Sequence, residues 1–566
     1  MAVKSTEPLP RHARDCAAPA GGKHLFLRLS LLVAAGAALA GLFFCYMRLS
    51  ATCPAGSDGA SNALEAWDLL DGNWLLRGWT LTDVSFYTTE LPEYAAVELA
   101  RGLNPGVLHV AAALTYTLLI LLAALLARGR ARGGEGWARA LIAAGVMVAP
   151  QLGNGVHVLL AQPDHVGTQV LVLGSFLVLE RAPRRWYAPA AVWALLTAAV
   201  VADKITIVVA VVPLAFVGLL HAVWTRRPSE HRFELSVAVA AVAAAATGLP
   251  LLTVISERGG FTLLPVQTAL SAPSGAVGHL SLAWHGILSL FGADVTTAPP
   301  GAQTVLAWLH APGIALAVAA FAVVAWHVPS PRDFTGDVLA VAIVVNLAGF
   351  VASIIPATPF DTREIAALLP FGAVLAGRVF GRGPGRRFRV LAVAGACQLA
   401  ALGYGAAQPP AANPEQALAG WLAAHGLTTG LGTFTEGNLT TLDSGGAVRV
   451  LAVSWVRPGP PVRRSRLPDL RTGQAAQLPV LGGAVPRLYQ SSASWYDPRG
   501  QHANFVVSGS ADGTADLIPR GDILALAGPP AGTYHFRSFT IMVWDKNLLA
   551  LLGPTPSRVP GDIGRP

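Results

Sequence analysis

Long apolar runs of roughly 15–25 residues recur through the first 406 residues, and polar intervals separate them. A helix of about 20 apolar residues is long enough to cross the hydrocarbon core of a bilayer. The pattern therefore predicts a mainly α, polytopic transmembrane helix bundle over residues 24–406. About eleven spans are predicted, near residues 25–47, 107–127, 138–160, 166–180, 188–202, 205–224, 235–255, 304–327, 337–356, 363–380 and 388–406.

Arginines are concentrated in every second polar interval, for example at 128–139, 181–185 and 382–389. Because Lys and Arg flanking membrane spans favour the cytoplasmic side, these intervals and the tail 1–23 are predicted to be cytoplasmic. The intervals between them, including the long loop 48–106, are then outside. An odd number of spans also places the C-terminal region outside. The prediction is a multi-pass protein of the cell membrane.

Residues 407–566 have a different pattern, which begins with the Pro/Ala-rich linker AAQPPAANPE. A helical segment at 415–425 is followed by alternating or β-branched runs, which are typical of strands. These runs lie at 448–456, 503–509 and 534–545. The Pro- and Arg-rich stretch 457–490 is predicted to be a poorly ordered loop. We therefore expect a small extracytoplasmic α/β domain.

The loop 48–106 carries two helical signals. Ala60, Leu64 and Trp67 share one face of a helix that begins near Ser57, and Leu91-Pro92-Glu93 begins a second helix, since proline is tolerated in a first turn. Aromatic side chains favour the headgroup region of a membrane. Both helices are therefore expected to lie in the interface, with the aromatic residues Trp67, Trp74, Trp79, Phe86, Tyr87 and Tyr94 at headgroup depth.

Composition agrees with a membrane protein. The 566 residues are 53% hydrophobic and only 13% charged, whereas soluble domains carry about 25% charged residues. The formal net charge of +8 could suggest a nucleic-acid partner. The arginines instead follow the predicted membrane topology. We therefore expect the lipid bilayer, and not a nucleic acid, to be a partner of the protein.

Ionisable residues cluster at the predicted outer ends of the spans, although they come from distant parts of the chain. They are Asp58 in the first outer loop, Asp164 and His165 in the second, Asp203 and Lys204 in the third, and Asp361, Arg363 and Glu364 in the fourth. Cationic side chains bind lipid phosphates, and a carboxylate can remove a proton from a hydroxyl group. The structural alternatives are solvated loop carboxylates, an arginine that anchors a helix end and a self-neutralising Asp203–Lys204 pair.

This arrangement resembles the GT-C superfamily of membrane glycosyltransferases, which use polyprenyl-phosphate-linked sugars. Ser57-Asp58-Gly59 and Pro163-Asp164-His165 match its two acidic positions. The resemblance implies inverting transfer of a hexose or pentose to an extracytoplasmic glycan, protein or lipid. It also implies roles for six residues, with Asp58 and Asp164 catalytic, and His165, Lys204, Arg363 and Glu65 binding substrate.

The chain is more narrowly similar to actinobacterial membrane proteins of this transferase type. The similar segments are TREIAALLPFGAVLAGR (362–378), SASWYDPRGQHANFVV (492–507) and TIMVWDKNLL (540–549). The chain departs from better-known members in having a lone Asp58 where some carry two adjacent acids. This leaves open whether a divalent cation is a cofactor, and no metal ligand is assigned.

Two other functions are compatible with the sequence. A lipid or polymer transporter would need polar residues near the middle of the bilayer, and paired halves with broken helices. A non-catalytic cell-envelope assembly protein would not need its acids on one face. We therefore expect the distances among Asp58, Asp164 and Arg363 to distinguish the enzyme from these alternatives.

Overall fold

The structure is a computed structural model that describes residues 21–224, 228–265, 269–327, 333–382, 388–456, 483–509 and 520–553. Residues 1–20 of the predicted cytoplasmic tail and residues 457–482 of the predicted loop lie outside this set. Up to Ala406 the chain is mainly helical, and the region that follows contains a β-sheet.

The helices of the first part are α1 (Gly21–Ser50), α2 (Ser57–Leu70), α3 (Glu90–Arg101), α4 (Gly106–Arg128), α5 (Gly133–Met147), α6 (Asn154–Leu160), α7 (Val166–Arg181), α8 (Ala188–Ala202), α9 (Val212–Trp224), α10 (Pro228–Glu257), α11 (Ala276–Leu290), α12 (Ala302–His327), α13 (Phe334–Ala352), α14 (Leu368–Phe380) and α15 (Phe388–Ala406). A π-helical turn, Ile207–Val211, leads into α9, and a 3-10 segment, Pro359–Ile365, precedes α14. Helix α4 lies inside the bundle, where it packs against α1, α5, α7 and α14.

Seven helices of the described part are long and apolar enough to cross a membrane. They are Val33–Ser50, Gly106–Arg128, Ile207–Trp224, His231–Glu257, Ala302–Trp326, Phe334–Ala352 and Arg389–Ala406. The protein is thus a multi-pass membrane protein with a mainly helical fold. The other predicted spans correspond to shorter or interrupted helices, so the number eleven and the orientation of the termini stay predictions.

The predicted span 138–160 is wrong as a single helix, because α5 ends at Met147 and α6 begins only at Asn154. Pro150 has no N–H and its ring obstructs a continuing helix. Gly153 then takes a left-handed conformation, with φ +85°, that disfavours other residues. The break allows the short α6 to pack against the 3-10 segment.

The predicted span 363–380 also begins differently, since its first residues belong to the 3-10 segment and α14 starts at Leu368. The Asp361 carboxylate accepts hydrogen bonds from the backbone N–H groups of Ala357, at 2.8 Å, and Thr358, at 2.7 Å. These bonds satisfy N–H groups that a helix start leaves without partners. The capped turn sets Arg363 and Glu364 ahead of α14.

The C-terminal region contains a six-stranded mixed sheet in the order β5-β4-β3-β7-β9-β8. A separate three-stranded sheet, β2-β1-β6, joins this region to the helical part. The strands are β1 (Trp79–Leu81), β2 (Thr262–Leu263), β3 (Thr429–Gly432), β4 (Arg449–Val456), β5 (Gly483–Pro486), β6 (Ser491–Ser492), β7 (Phe505–Gly509), β8 (Gly532–Phe536) and β9 (Phe539–Val543). The helices are α16 (Pro414–Ala424), α17 (Phe434–Asp443) and α18 (Arg520–Ala527).

The predicted helix 415–425 and the strands at 448–456 and 503–509 are present as α16, β4 and β7. The run 534–545 is not one strand but parts of the antiparallel pair β8 and β9. Arg537, with φ +53°, turns the chain between them. The predicted loop 457–490 includes β5, which pairs with β4.

The aromatic residues of loop 48–106 are not a belt at headgroup depth. Trp79, Phe86 and Tyr94 are at most 4% exposed, whereas Trp74 is 69% exposed. Helix α2 packs against α3 on one side and α17 on the other, so the loop lies beneath the C-terminal region. The buried rings form one apolar cluster with Leu439 and Leu442 of α17, because protein rather than lipid covers this face.

Candidate active site

Helix α2 places Asp58 in its first turn, with Asn62 and Glu65 following at spacings that keep them on the same helical face. The backbone N–H of Gly59 donates to the side-chain oxygen of Gln162 at 2.9 Å. A Cβ atom at position 59 would lie only 2.8 Å from that oxygen, so the glycine permits the close approach. The contact brings the start of α2 against the loop 161–165.

Asp164 of that loop lies beside α2. Its Oδ1 accepts a hydrogen bond of 2.8 Å from the amide of Asn62, and the residue is 4% exposed. Burial raises the pKa of Asp164 to about 7, and the negative charge of Asp58 raises it further, while His165 and Arg363 oppose the shift. Asp164 therefore changes its charge near neutral pH.

Arg363 of the 3-10 segment faces Asp58, with Nη1 3.5 Å from Oδ2. The guanidinium carbon also lies 4.3 Å from the centroid of the Phe360 ring. This cation–π contact holds the guanidinium against the ring. Its buried Nε has no hydrogen-bond partner among the residues that the structure describes. The structure thus brings Asp58, Asp164 and Arg363, here called the acid–arginine cluster, to one end of the bundle.

His165 lies behind this cluster and is paired with two acids. Its Nδ1 is 2.6 Å from Oδ2 of Asp203, and its Nε2 is 3.8 Å from Oε1 of Glu364. Burial lowers the pKa of His165, but Asp203 and Glu364 outweigh this effect and raise the pKa to about 10. His165 is therefore a cation at neutral pH. Glu364, which the sequence placed in the same cluster without a role, is its second acidic partner.

The suggested Asp203–Lys204 pair is absent, because Asp203 pairs with His165 and accepts the N–H of Ile205 at 2.9 Å. The half-buried Lys204 ammonium makes no ion pair or hydrogen bond within the described part of the chain. The substrate-binding role assigned to Lys204 stays a prediction.

Glu65 is deeper than the other candidate residues, at 1% exposure. Its Oε1 lies 3.2 Å from Oγ of Ser61. Burial raises the pKa of Glu65 well above its usual value, the Ser61 hydrogen bond lowers it, and Asp164 and Asp58 raise it again. Glu65 is thus buried behind the candidate site and contacts α2 through Ser61, so its predicted contact with substrate stays a prediction.

A segment of the C-terminal region also reaches this site, which the sequence did not indicate. Oγ of Ser61, one turn after Asp58, donates to the carbonyl oxygen of Gln490 at 2.9 Å. Burial raises the pKa of the neighbouring Tyr489 phenol, and the charge of Asp58 raises it further. No local signal could have found these residues, because they lie in the stretch predicted to be a loop.

In the described ranges, no group of three or more His, Cys, Asp or Glu side chains is arranged to hold a metal ion. Asp58 faces a guanidinium, and Asp164 accepts from an amide. These residues do not make a donor set of the kind that divalent cations use, which is several oxygen ligands around one point.

The pKa of Asp164 predicts a pH-dependent stability. An Asp with a raised folded-state pKa contributes stability that is complete below its unfolded value near 3.9 and is lost as pH rises through the folded value of about 7. Between pH 5 and 7 the titration of this group alone should lower the free energy of unfolding by about 2 kcal/mol. Asp164→Asn should remove that part of the decline.

Thermal unfolding of the detergent-solubilised protein at pH 5 and 7.5 checks this expectation. The change in Tm between the two pH values should be smaller in Asp164→Asn than in the unchanged protein. Asp71→Asn, at an exposed acid that follows α2, is the matched control and should keep the full change. Equal changes in all three proteins would contradict the raised pKa.

No protein-family model and no curated protein sequence matches the chain. Solved structures do. The crystal structure of an Archaeoglobus fulgidus oligosaccharyltransferase in complex with zinc and sulfate matches at 15% identity and a TM-score of 0.35, covering 60% of this chain and 49% of that one. The chain therefore spans about half the length of that protein.

Crystal structures of ArnT from Cupriavidus metallidurans match over more of the chain. The form bound to undecaprenyl phosphate has 13% identity and a TM-score of 0.48, covering 95% of this chain and 100% of that one. The apo form has 14% identity and a TM-score of 0.41, covering 94% and 99%. Scores and identities this low establish no shared activity between these proteins and the chain.

Proposed function

We propose that this protein is a GT-C-type membrane glycosyltransferase of the kind found in actinobacterial cell envelopes. It would move a hexose or pentose from a polyprenyl-phosphate donor to an extracytoplasmic acceptor. The observation that carries the proposal is the acid–arginine cluster, in which Asp58, Asp164 and Arg363 meet at one end of a multi-pass bundle. A non-catalytic assembly protein would not need its acids on one face, and a transporter would need polar residues near the middle of the bilayer.

Asp58 is proposed as the general base. It would take the proton of the acceptor hydroxyl while the acceptor oxygen forms a bond to the anomeric carbon of the sugar. The bond from that carbon to the phosphate oxygen breaks on the opposite face, and the polyprenyl phosphate leaves with the electron pair. This single displacement inverts the anomeric configuration, and the proton remains on Asp58.

Arg363 is proposed to bind the donor phosphate. The guanidinium carries five N–H donors, so it can hold two phosphate oxygens while remaining near Asp58. A phosphate that engages Arg363 also weakens the hold of the guanidinium on the Asp58 carboxylate, which then becomes a better base. Lys204 and the cationic His165 would add positive charge for the leaving phosphate.

Asp164 is proposed to orient the acceptor. Its Asn62 hydrogen bond fixes one carboxylate oxygen, and the other is available to a sugar or protein hydroxyl. No step passes through a metal ion, because the acids of the site face Arg363 and Asn62 rather than a common point. The buried Glu65 would support α2 through its contact with the Ser61 hydroxyl.

A turnover assay tests the proposal. The purified protein is given a panel of synthetic undecaprenyl-phosphate hexoses and pentoses with an envelope fraction of the source organism, and released undecaprenyl phosphate is measured by mass spectrometry. We expect release from at least one donor, dependent on the envelope fraction. Absence of release from every donor would contradict the function.

Replacing Arg363 with glutamine should weaken binding of undecaprenyl phosphate by roughly 10- to 100-fold, since a hydrogen bond to a charged group contributes about 1.5–3 kcal/mol. The change is measured as a Kd, by quenching of tryptophan fluorescence in detergent. Arg130→Gln is the matched control, because Arg130 is 61% exposed and pairs with Glu180 in another part of the bundle. Equal Kd values for both variants would remove Arg363 from the phosphate site.

A further inference from the structure

The C-terminal region supplies one wall of the candidate site. Strand β6 pairs antiparallel with β1 of the loop 48–106, with Ser492 opposite Trp79 and Ser491 opposite Thr80. The rings of Trp79 and Trp495 meet edge to face, with centroids 4.9 Å apart. Buried aromatic pairs of this geometry add stabilisation to that of the area they bury. The segment Arg487–Ser492, here called the closing turn, is thereby held against α2.

A second contact fixes the closing turn beside Asp58. The Ser61 hydroxyl lies within hydrogen-bond distance of both the Gln490 carbonyl oxygen and Glu65, but it has only one proton to donate. These two contacts place the Ser61 hydroxyl between Glu65 and the closing turn, one helical turn from Asp58. They tie the closing turn to the buried face of α2.

One side-chain acceptor of the closing turn lacks a partner in the described part of the chain. Gln490 is 2% exposed, yet its side-chain oxygen has no hydrogen-bond partner among the described residues. A buried acceptor without a partner is costly unless a ligand satisfies it. Tyr489, the adjacent residue, is half-buried, and the Arg487 guanidinium lies 5.5 Å from its ring centroid.

In the proposed function the two substrates reach the cluster from different sides. The polyprenyl chain of the donor stays in the bilayer, so its phosphate would approach from the helical bundle, where Lys204 follows α8 and Arg363 precedes α14. The acceptor would approach from the side of the C-terminal region, whose α17 and β6 cover the loop 48–106. The closing turn lies on the side of the C-terminal region and contacts α2 at Ser61, one helical turn from Asp58.

We propose that the closing turn is the acceptor side of the site, and that Tyr489 and Gln490 position the acceptor hydroxyl for Asp58. This inference rests on the proposed function. Gln490 would accept a hydrogen bond from a hydroxyl of the acceptor, and the Tyr489 phenol would hold a second oxygen of the same group. The site is then incomplete without the C-terminal region, which would select the acceptor while the helical bundle selects the donor.

Variants that keep side-chain shape test the assignment in the full chain. Tyr489→Phe and Gln490→Met are each expected to lower transfer at least ten-fold at limiting envelope fraction. Binding of undecaprenyl phosphate should change less than two-fold, because the donor side is intact. Tyr187→Phe, at an exposed tyrosine before α8, is the control for loss of a phenol.

The outcomes separate this inference from the proposed function. If the unchanged protein releases undecaprenyl phosphate but both variants transfer as it does, the acceptor assignment fails and the enzyme remains. If the variants weaken undecaprenyl phosphate binding ten-fold, the closing turn belongs to the donor side, and the inference is overturned. Absence of release by the unchanged protein overturns both.

Hydrogen exchange supplies a measurement that does not depend on turnover. Ser61→Ala removes the donor to the Gln490 carbonyl, and amides of the closing turn should exchange roughly five-fold faster, the factor that corresponds to one typical hydrogen bond. Ser236→Ala, whose hydroxyl bonds within α10, is the matched control. Unchanged exchange in Ser61→Ala would show that the contact does not hold the closing turn.

Discussion

Replacing Asp58 with asparagine is expected to lower the rate of sugar transfer by roughly 10²- to 10⁴-fold, the usual contribution of a positioned general base. Asparagine has nearly the same shape, so the first turn of α2 and its contact with Gln162 should remain. The amide cannot take the acceptor proton at neutral pH. It also removes the negative charge 3.5 Å from Arg363, so undecaprenyl phosphate should bind at least as tightly as before.

The decisive comparison is between turnover and donor binding in the same preparation. Asp71→Asn, the exposed acid that follows α2, should keep full activity and shows whether any loss is specific. A variant at Asp58 that retains turnover would remove this residue as the base. A variant that loses both turnover and undecaprenyl phosphate binding would instead indicate a structural defect at the site.

The second large effect concerns stability. Replacing Arg378 with methionine should lower the free energy of unfolding by about 3 kcal/mol, because it leaves the buried carboxylate of Glu180 and the half-buried carboxylate of Asp333 without their arginine. Arg378 is 7% exposed. Its Nε and Nη2 bind the two oxygens of Asp333 at 2.9 and 2.7 Å, and its Nη1 binds Glu180 at 3.2 Å. The arginine thereby joins the ends of α7 and α14 to the start of α13.

Thermal unfolding in one detergent measures this effect. The Tm of Arg378→Met should fall by several degrees. Arg181→Met is the matched control, because Arg181 ends α7 beside Glu180 but is exposed, and its Tm should stay close to that of the unchanged protein. Equal Tm values for the two variants would show that the ion-pair network contributes little.

The surroundings of Asp58 show what local sequence features can predict and what they cannot. The helix at Ser57 was predicted from the spacing of Ala60, Leu64 and Trp67, and it is present as α2. Helical periodicity depends on neighbouring residues only, so it can be recognised without the fold. The partner of Asp58 could not be recognised in this way, since the 3-10 segment that carries Arg363 is positioned by its packing against α6, α11 and α13.

For Asp203, the sequence suggested a partner different from the one that the structure shows. Its neighbour Lys204 was a plausible partner from the sequence, but His165 takes that place at 2.6 Å. Adjacent side chains in a turn point in different directions, and Asp203 and His165 are both buried whereas Lys204 is only half-buried. The packing of distant loops against each other therefore decides which polar groups come into contact.

The sequence by itself determined the membrane class, the helical bundle and the sheet-containing C-terminal region. Each depends on properties of short windows, namely the length of apolar runs and their periodicity. It could not distinguish an aromatic side chain in lipid from one buried in protein, since both are apolar environments. Trp79 and Tyr94 were therefore assigned to the membrane surface although they are covered by protein.

Only the tertiary structure brought the acid–arginine cluster together and placed Tyr489 and Gln490 beside it. The contact between the closing turn and α2 depends on β6 pairing with β1 across most of the chain. Such pairings are selected by the packing of whole elements, which no short stretch of sequence encodes. The tertiary structure therefore decided which charges share the site and which domain closes it.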